Sequence, residues 1–436
     1  MDRRSGLSSA GVKSRTDIVW AGSAAALVAA AAIVPWLATS DFRHRIHAAA
    51  APLFGAWNPH AGWGTAPAIV CAGLVIGYGC TIAHRLPWRR LLVATWLTNL
   101  TWTVSLVFAD SSRRGFGTPL ADSNEYLHDI PRISGVDEAL RDFSSRILDF
   151  QPDSWTTHVS GHPPGAFLTF VFLDRIGLGG PTWAGVFVVV SGSTAVMAVL
   201  VAVRTLGDEP LARSSAPFLS IAPLAIWVGT SADGWFLAVT AWGIALLAVA
   251  STSRNVAAAV ASGVLLGIGV YLNYGLVLMG VPALAILWST RTFRPLVPAL
   301  AGAGVVAAAF TVSGFWWFDG FHLVVERYYQ GIASERPYRY WVWANLAAAV
   351  CSAGIAAVAG LHRARPRGAR ILPLAAVVTI ALADVSALSK AETERIWLSF
   401  LVWLIVAAGL LPYPRRWLLA QAFGALAINH LILTNW

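Results

Sequence analysis

Residues 234–272 read GWFLAVTAWGIALLAVASTSRNVAAAVASGVLLGIGVYL, two long apolar runs separated by the short polar stretch STSRN. A transmembrane α-helix needs about 20 predominantly apolar residues. Inside lipid the backbone must satisfy its own hydrogen bonds, which favours helices over irregular structure. The stretch therefore predicts two transmembrane helices, 234–250 and 256–272, joined by the loop 251–255.

The same pattern recurs along the whole chain of 436 residues. Apolar residues make up 57% of the sequence and charged residues 12%, against about 25% charged residues in soluble domains. This composition excludes a string of soluble domains and predicts an all-α, polytopic membrane protein with about 12–13 transmembrane helices. The candidate spans are 18–38, 66–83, 91–109, 181–203, 215–231, 234–250, 256–272, 275–289, 296–317, 341–361, 371–388, 396–412 and 416–433.

The polar segments between these spans fall into two sets of different charge. One set holds 18 of the 31 Lys and Arg residues but only four of the 22 Asp and Glu residues. It consists of the N-terminal tail and the loops 84–90, 204–214, 251–255, 290–295, 362–370 and 413–416. Because cytoplasmic loops carry an excess of Lys and Arg, we expect a cytoplasmic N-terminus. The basic residues are scattered among the spans, so the net charge of +9 does not indicate nucleic-acid binding.

The remaining polar residues are expected outside the cell, in segments 110–162, 318–340 and 389–395 and at Asp233 between two spans. Ionisable groups at a membrane boundary cost free energy unless they pair or line a wet cavity. Their concentration on one side predicts a site that faces outward. The three cysteines all lie in apolar segments, which indicates neither a disulfide framework nor a zinc site.

Two features of the first external segment indicate structure at the membrane surface. Residues 136–150 (VDEALRDFSSRILDF) place apolar side chains at helical spacing, which predicts external juxtamembrane amphipathic helices. After His162-Pro163-Pro164, the apolar run is too short to span. We expect it to re-enter the membrane or to lie along it.

This arrangement resembles the GT-C glycosyltransferases, in particular the protein-mannosyltransferase and aminoarabinose-transferase branch. The resemblance rests on a span followed by Asp122 and Tyr126, then surface helices, then His162-Pro163-Pro164 and a short hydrophobic helix. It covers about residues 91–412 and implies two parts. Residues 1–90 would be an N-terminal tail with two additional transmembrane helices, and residues 91–436 a GT-C-like domain whose external loop 110–180 carries the catalytic motif.

The resemblance implies an inverting transfer of a sugar from a polyprenyl-phosphate donor at the extracytoplasmic face of the cell membrane. The acceptor would be a cell-envelope glycan, lipid or protein, and the sugar mannose or arabinofuranose. Of the 31 basic residues, all but Lys13 and Lys390 are arginine, which with abundant Ala and Gly is typical of a GC-rich, actinobacterial genome.

Such a transfer needs a carboxylate base for the acceptor hydroxyl. The usual Asp-Glu pair of the family is Asp122-Ser123 here, so the catalytic base is Asp122 or Glu125, and either could instead cap a surface helix. Tyr126 is expected to contact substrate. His158 and His162, four residues apart, could contact substrate, hold a divalent metal or shape the turn; no metal site is assigned and no cofactor is certain.

The leaving phosphate needs cations. The planar fork of arginine suits phosphate, and Arg327, Arg336 and Arg339 alternate with Tyr328 and other aromatic residues that an interfacial belt also explains. In the third segment, Lys390, Glu392, Glu394 and Arg395 either bind substrate or form a salt-bridged helix start. Arg395 is the preferred phosphate partner. Asp233 is either a turn residue or an acceptor for sugar hydroxyls.

Two other functions compete with a glycosyltransferase. A transporter or flippase of lipid-linked sugars predicts mid-membrane charges and inverted repeats, and most spans have no charge at their centre. An O-antigen-ligase-like enzyme also has a large external loop, but ligases tend to place it late in the chain, whereas here it follows the third predicted span.

Overall fold

The computed structural model describes residues 4–110 and 116–435, with side chains from residue 14 onward. Residues 111–115 of the predicted external loop lie outside the described residues. In the described part the α-helices are α1 (Arg4–Leu37), α2 (Ser40–Ile46), α3 (Thr65–Leu74), α4 (Cys80–Arg85), α5 (Trp88–Asp110), α6 (Val136–Arg141), α7 (Thr157–Ser160), α8 (Pro164–Arg175), α9 (Pro181–Ser193), α10 (Ala195–Thr205), α11 (Glu209–Ser220), α12 (Ala225–Val228), α13 (Ala232–Ser253), α14 (Val256–Leu272), α15 (Gly280–Thr290), α16 (Leu296–Val312), α17 (Trp317–Gln330), α18 (Tyr338–Ala353), α19 (Ile355–Leu361), α20 (Ile371–Val385), α21 (Thr393–Ile396), α22 (Leu398–Leu404) and α23 (Pro414–Leu431).

Short helices of other types join several of these. The 3₁₀-helices are Thr118–Ala121, Tyr126–Arg132, Ser144–Arg146, Tyr274–Met279, Ile332–Ser334, Gly368–Arg370 and Ile405–Leu410, and a π-helical turn covers Val75–Gly79. Two short strands, β1 (Gly55–Trp57) and β2 (Ile432–Thr434), pair antiparallel with Gly55 opposite Thr434. This pairing joins the segment between α2 and α3 to the end of the chain.

The predicted all-α membrane architecture is confirmed. Six helices of the described part are long and apolar enough to cross a membrane, or eight if each of two bent pairs counts as one span. The bent pairs are α16 with α17, at 75°, and α18 with α19, at 106°. Shorter apolar helices account for others of the predicted spans, including Val256–Leu272 and Leu398–Leu410.

The helices predicted at 234–250 and 256–272 both form, as α13 and α14, and they pack together as a helical hairpin. The side chain of Ser231 accepts a hydrogen bond from Asp233 N at the start of α13, and that of Asn255 accepts from Ala258 N at the start of α14. Glycine then lets α14 approach α16 closely, because a Cβ at Gly263 would lie 1.8 Å from the carbonyl oxygen of Ala299. Small residues at helix contacts are the usual means of close packing in membranes.

One predicted span is not a continuous helix. In the run 215–231, α11 ends at Ser220 and only Ala225–Val228 resume as helix. The run is buried in the protein core along its whole length. Its apolar character therefore reflects packing against other helices rather than exposure to lipid.

The predicted amphipathic segment is also shorter than expected. Only Val136–Arg141 form an α-helix, followed by a 3₁₀ turn. The apolar side chains of Phe143 and Ile147 are buried within the protein. The apolar run after the two prolines forms α8, which buries Phe167 and Phe170 in the same core.

The first helix and the segment that follows it are tied into the rest of the protein. α1 packs against α18 and α19. Its buried Asp17 accepts hydrogen bonds from the Nε and Nη2 of Arg363, at 2.6 and 2.7 Å, and lies 2.7 Å from Nε2 of His362. Further along, the backbone N–H of Phe54 donates to Oε1 of Glu394 at 2.7 Å.

Candidate functional site

A cavity of about 1210 Å³ collects polar side chains from several distant segments. Its walls come from the loop after α5, the turn before α8, the junction of α14 and α15, the connection of α17 to α18, and the residues around α21. Nine of the fourteen predicted site residues line it: Asp122, Glu125, His158, His162, Arg327, Tyr328, Arg336, Glu392 and Arg395.

Glu125 and His158 form a buried carboxyl–imidazole pair on the cavity wall. Glu125 is 4% exposed, and its Oε1 lies 3.2 Å from Nδ1 of His158. Burial raises the pKa of Glu125 to about 8, against the opposing effect of the positive charge of Arg395. A carboxyl with a pKa near neutrality can both take up and release a proton in the physiological range, as a general base requires.

The partners of His158 fix its tautomer. Burial and the charge of Arg395 lower the pKa of this imidazole well below its usual range, so it is neutral. Nδ1 lies 3.0 Å from the carbonyl oxygen of Asn124, and Nε2 lies 3.5 Å from Nη2 of Arg395. Because a guanidinium only donates, Nε2 accepts and Nδ1 carries the proton. The Nδ1–H group of His158 therefore faces the carbonyl of Asn124 and the carboxyl of Glu125.

Asp122 also lines the cavity but in a different environment. It is exposed, and its Oδ1 accepts hydrogen bonds from the backbone N and the Nδ2 of Asn124, both at 2.9 Å. This is the geometry of an Asx turn, in which a short acidic side chain shapes its own loop. Asp122 is thus solvated, whereas Glu125 is desolvated and paired with His158.

Arg395 lies at the centre of the charged side chains. It is 5% exposed and donates to Oδ2 of Asp233 at 2.7 Å and to Oε2 of Glu392 at 3.2 Å. Asp233, buried behind it, also accepts from the hydroxyl of Ser231 at 3.0 Å. These carboxylates raise the pKa of Arg395 despite its burial, so the guanidinium stays charged.

Arg336 contacts the carboxylate of Glu392 from the side opposite Arg395. Its Nη1 donates to the carbonyl oxygen of Lys390 at 2.7 Å and lies 3.4 Å from Oε1 of Glu392. Tyr328 lines the cavity beside this loop, and its hydroxyl accepts from Lys390 N at 2.9 Å. Glu392 therefore bridges two buried arginines, Arg336 and Arg395.

Arg327 belongs to a separate ion pair on the cavity wall. It contacts the carboxylate of Asp149 and donates to the hydroxyl of Ser160 at 3.2 Å. The backbone N–H of Asp149 in turn donates to Oε1 of Gln330 at 2.8 Å. The loop after α6 is thereby fastened to α17.

The other predicted residues lie behind or beside the lining. The ring of Tyr126 is buried, 5.7 Å from the ring of His162 and 5.2 Å from that of Phe170. Lys390 donates from Nζ to the carbonyl oxygen of Ala333 at 2.9 Å. Arg339 stands over the ring of Phe42 at 5.8 Å. These three side chains shape the surroundings of the cavity without lining it.

Glu394 is likewise buried behind the cavity. Its side chain is fully buried, and this burial raises the pKa of Glu394 to about 7. Glu394 accepts a hydrogen bond from the backbone N–H of Phe54. The sequence indicated no site residue in the segment around Phe54. Phe54 itself lines the cavity, so the segment between the first two predicted spans contributes to the site.

An apolar wall adjoins the charged side chains. It is built by residues 276–278 of the 3₁₀-helix after α14, by Phe321 and Val324 of α17, by Leu382 of α20 and by Phe400 of α22. The cavity is therefore amphipathic, with carboxylates and arginines on one part of its wall and side chains suited to a hydrocarbon chain on another.

Sequence reasoning missed Asn124, Asn345, Asp149 and Phe54. Asn345 donates to Oδ1 of Asp384 at 2.8 Å and to the carbonyl oxygen of Ser389 at 2.7 Å. The only sequence signal for Asn345 was a polar residue inside a predicted apolar span. In the described part of the chain, no group of three or more His, Cys, Asp or Glu residues has a geometry that could hold a metal ion.

Comparisons with known proteins give limited similarity. No family model matches the sequence, and no curated protein matches it. Among solved structures, oligosaccharyltransferase from Archaeoglobus fulgidus in complex with Zn and sulfate is 17% identical, with a TM-score of 0.42, over 78% of this chain and 53% of that one. Its apo form is 14% identical, with a TM-score of 0.44, over 80% and 57%.

A third structure, the archaeal oligosaccharyltransferase AglB from Archaeoglobus fulgidus with an inhibitory peptide and a dolichol-phosphate, is 14% identical, with a TM-score of 0.43, over 79% of this chain and 56% of that one. The chain thus spans little more than half the length of the proteins it matches.

Proposed function

We propose that this chain is a membrane glycosyltransferase of the GT-C type, which transfers a sugar from a polyprenyl-phosphate donor to an acceptor at the extracytoplasmic face of the cell membrane. The observation that carries the proposal is the amphipathic cavity, where a buried carboxyl, two buried arginines and an apolar wall meet. A donor of this class has a sugar, an anionic phosphate and a hydrocarbon chain, and each part has a matching surface.

The proposed reaction is a single displacement. The oxygen of the acceptor hydroxyl forms a bond to the anomeric carbon while the bond from that carbon to the phosphate oxygen breaks, so the configuration inverts. The hydroxyl proton passes to a carboxylate of the protein, and the bonding electron pair leaves with the polyprenyl phosphate. This requires a base on one side of the sugar and cations on the other.

Glu125 is the better placed of the two predicted bases. It is buried on the cavity wall beside the neutral His158, and water exclusion strengthens its interaction with a bound hydroxyl. Asp122 is exposed and already accepts two hydrogen bonds from Asn124. We therefore assign the base to Glu125 and give Asp122 the role of shaping the loop that carries it.

The leaving phosphate is assigned to Arg336 and Arg395, which face each other across Glu392. The prenyl chain is assigned to the apolar wall formed by α17, α20 and α22. Mannose and arabinofuranose remain the favoured sugars, and a cell-envelope glycan, lipid or protein the acceptor. We further propose that the N-terminus lies in the cytoplasm and that the cavity faces outside, from the charge of the loops.

The test is transfer from labelled polyprenyl-phosphate mannose and polyprenyl-phosphate arabinose by the purified full chain in lipid nanodiscs, with membrane glycolipid extract as acceptor. We expect wild type and Asp122→Asn to transfer sugar and Glu125→Gln to lose at least 100-fold in rate, the lower end of a general base's usual contribution. The same chain in sealed proteoliposomes is the second arm. Movement of lipid-linked sugar across that membrane, without any transfer in the nanodiscs, would point to a transporter and refute the proposal.

A further inference from the structure

Glu392 occupies an unusual position between two buried arginines. Its side chain is 17% exposed and lines the cavity. Its Oε1 lies 3.4 Å from Nη1 of Arg336 and its Oε2 accepts from Nη2 of Arg395 at 3.2 Å. One carboxylate thus spans the two guanidinium groups with one oxygen each, as two oxygens of a phosphate group would.

The carboxylate does not stabilise the helix that it precedes. Glu392 is the N-cap residue of α21, yet its side chain makes no capping hydrogen bond. The backbone is also strained, because Ala391 and Glu392 have φ values of 73° and 62°, in the left-handed region that side chains with a Cβ disfavour. The contacts to the two arginines account for the position of the carboxylate better than helix capping does.

The two arginines differ in what they keep if Glu392 moves away. Arg395 retains its hydrogen bond to Asp233 at 2.7 Å. Arg336 retains the carbonyl oxygens of Lys390 and His47, at 2.7 and 3.4 Å, but no carboxylate among the described residues. Its buried Nε makes no hydrogen bond to any described residue. Arg336 without Glu392 is therefore a buried cation in need of an anion.

We infer that the carboxylate of Glu392 is an internal counter-ion that occupies the phosphate position between Arg336 and Arg395, and that a lipid phosphate binds by displacing it. The inference rests on the proposed function, since it concerns the phosphate of the same donor. The phosphodiester of the sugar donor carries one negative charge, and the phosphate monoester of the released lipid carries at least one. Either group can therefore replace the charge of Glu392 beside the two arginines. Movement of Glu392 also allows its own backbone to leave the left-handed region.

The loop that carries Glu392 is held on both sides of the moving residue. Asn345 binds the carbonyl oxygen of Ser389 at 2.7 Å and accepts from Ala391 N at 3.1 Å. Thr393 donates to the carbonyl oxygen of Asn345 at 3.2 Å. A side-chain rotation with a local backbone adjustment therefore suffices, and the rest of the site stays in place.

The experiment measures binding of undecaprenyl phosphate, and of undecaprenol as the phosphate-free probe, to the full chain in nanodiscs. Glu392→Gln keeps the size of the side chain but removes the competing charge, so we expect undecaprenyl phosphate to bind about tenfold more tightly and undecaprenol to bind unchanged. Glu138→Gln, at an exposed position outside the cavity lining, is the matched control and should change neither.

Glu392→Asp guards against an effect of geometry alone. It retains the negative charge, so its affinity for undecaprenyl phosphate should stay close to that of wild type. The inference is overturned if Glu392→Gln binds undecaprenyl phosphate no more tightly than wild type does. It is also overturned if Glu392→Asp tightens binding as much as Glu392→Gln does. Either result would make Glu392 a residue that positions the arginines. If no variant prefers undecaprenyl phosphate over undecaprenol, the lipid-phosphate donor itself is wrong, and the proposed function fails together with the inference.

Discussion

Replacement of Glu125 by Gln should have opposite effects on activity and on stability. Burial raises the pKa of Glu125 from its ordinary value of 4.5 to about 8. At pH 7 only about one-tenth of the molecules then hold the carboxylate that can accept a proton. The transfer rate of the wild type at limiting substrate should rise about tenfold from pH 6 to pH 7 and level off above pH 8. In Glu125→Gln this rise should disappear together with the activity.

The stability effect follows from the same pKa. Below pH 4.5 the group is protonated in both the folded and the unfolded chain and contributes nothing to the pH dependence. Between pH 4.5 and 8 the unfolded chain releases the proton and the folded chain keeps it, so stability falls as pH rises. At 1.36 kcal/mol per pH unit, the loss at pH 7 is about 3 kcal/mol. Glu125→Gln should remove this loss, since its amide does not ionise.

The assay pairs transfer from labelled polyprenyl-phosphate sugar, between pH 6 and 9, with thermal unfolding of the same nanodisc samples at pH 5 and pH 7. Asp122→Asn is the control, because Asp122 is exposed and lies three residues away on the same loop. We expect it to keep most of the activity and the pH profile. A flat profile for wild type, or a larger loss of activity in Asp122→Asn than in Glu125→Gln, would show that Glu125 is not the base.

Three further changes test other parts of the structure. Arg395→Lys keeps the positive charge but lacks the planar guanidinium that contacts two carboxylates at once. We expect the transfer rate to fall at least tenfold while the unfolding temperature shows that the protein is still folded. Gly263→Ala places a Cβ 1.8 Å from the carbonyl oxygen of Ala299 and should destabilise the protein by about 1–3 kcal/mol at the α14–α16 contact. We expect a lower unfolding temperature. Gly304→Ala is the control, because a Cβ there meets nothing within 4 Å. Asp17→Asn removes the charge of a buried carboxylate that accepts hydrogen bonds from Arg363 and should cost about 1–3 kcal/mol. The cost is measured by denaturation, and the affinity for donor should stay unchanged.

The helices were the part of the structure that the sequence predicts best. The hairpin at 234–272 is encoded locally, because apolar runs and capping residues such as Ser231 and Asn255 mark where each helix begins. The run 215–231 is an apolar stretch that does not form a continuous transmembrane helix. Burial in a protein core and burial in lipid select the same apolar residues, and only the fold shows that this run is covered by other helices.

The site was predicted as a set of residue types rather than as a geometry. Arg336, Glu392 and Arg395 stand out because charges are rare beside spans. The contact between Glu392 and Arg395 follows from their spacing of three residues. The contact between Glu392 and Arg336 joins the residues before α21 to the loop after α17, and spacing along the chain does not specify it. The contribution of Phe54 was missed for the same reason, since a lone aromatic residue between two predicted spans has no local signal.

Asp122 and Glu125 could not be separated in the sequence because both follow the same helix by similar distances. The choice between them depends on desolvation, which is set by residues far away in the chain. Glu125 is covered where the loop meets His158 and Arg395, whereas Asp122 turns back on its own loop at Asn124. The proposed choice of Glu125 as the base therefore rests on the surroundings of the two carboxyl groups.

The pairing of charges across segments has a consequence for specificity. Each arginine on the cavity wall faces a carboxylate from another part of the chain: Arg327 faces Asp149, Arg336 faces Glu392, and Arg395 faces Asp233. Arg395 also contacts Glu392, three residues before it. A neutral lipid gains nothing by breaking these pairs, because it leaves buried charges without partners. A lipid phosphate, by contrast, would supply the negative charge of the carboxylate that it displaces. If the phosphate takes the place of Glu392, removal of the Glu392 charge should tighten binding of the phosphate-bearing lipid. The alcohol does not compete with Glu392 for the two arginines, so its affinity should stay unaltered.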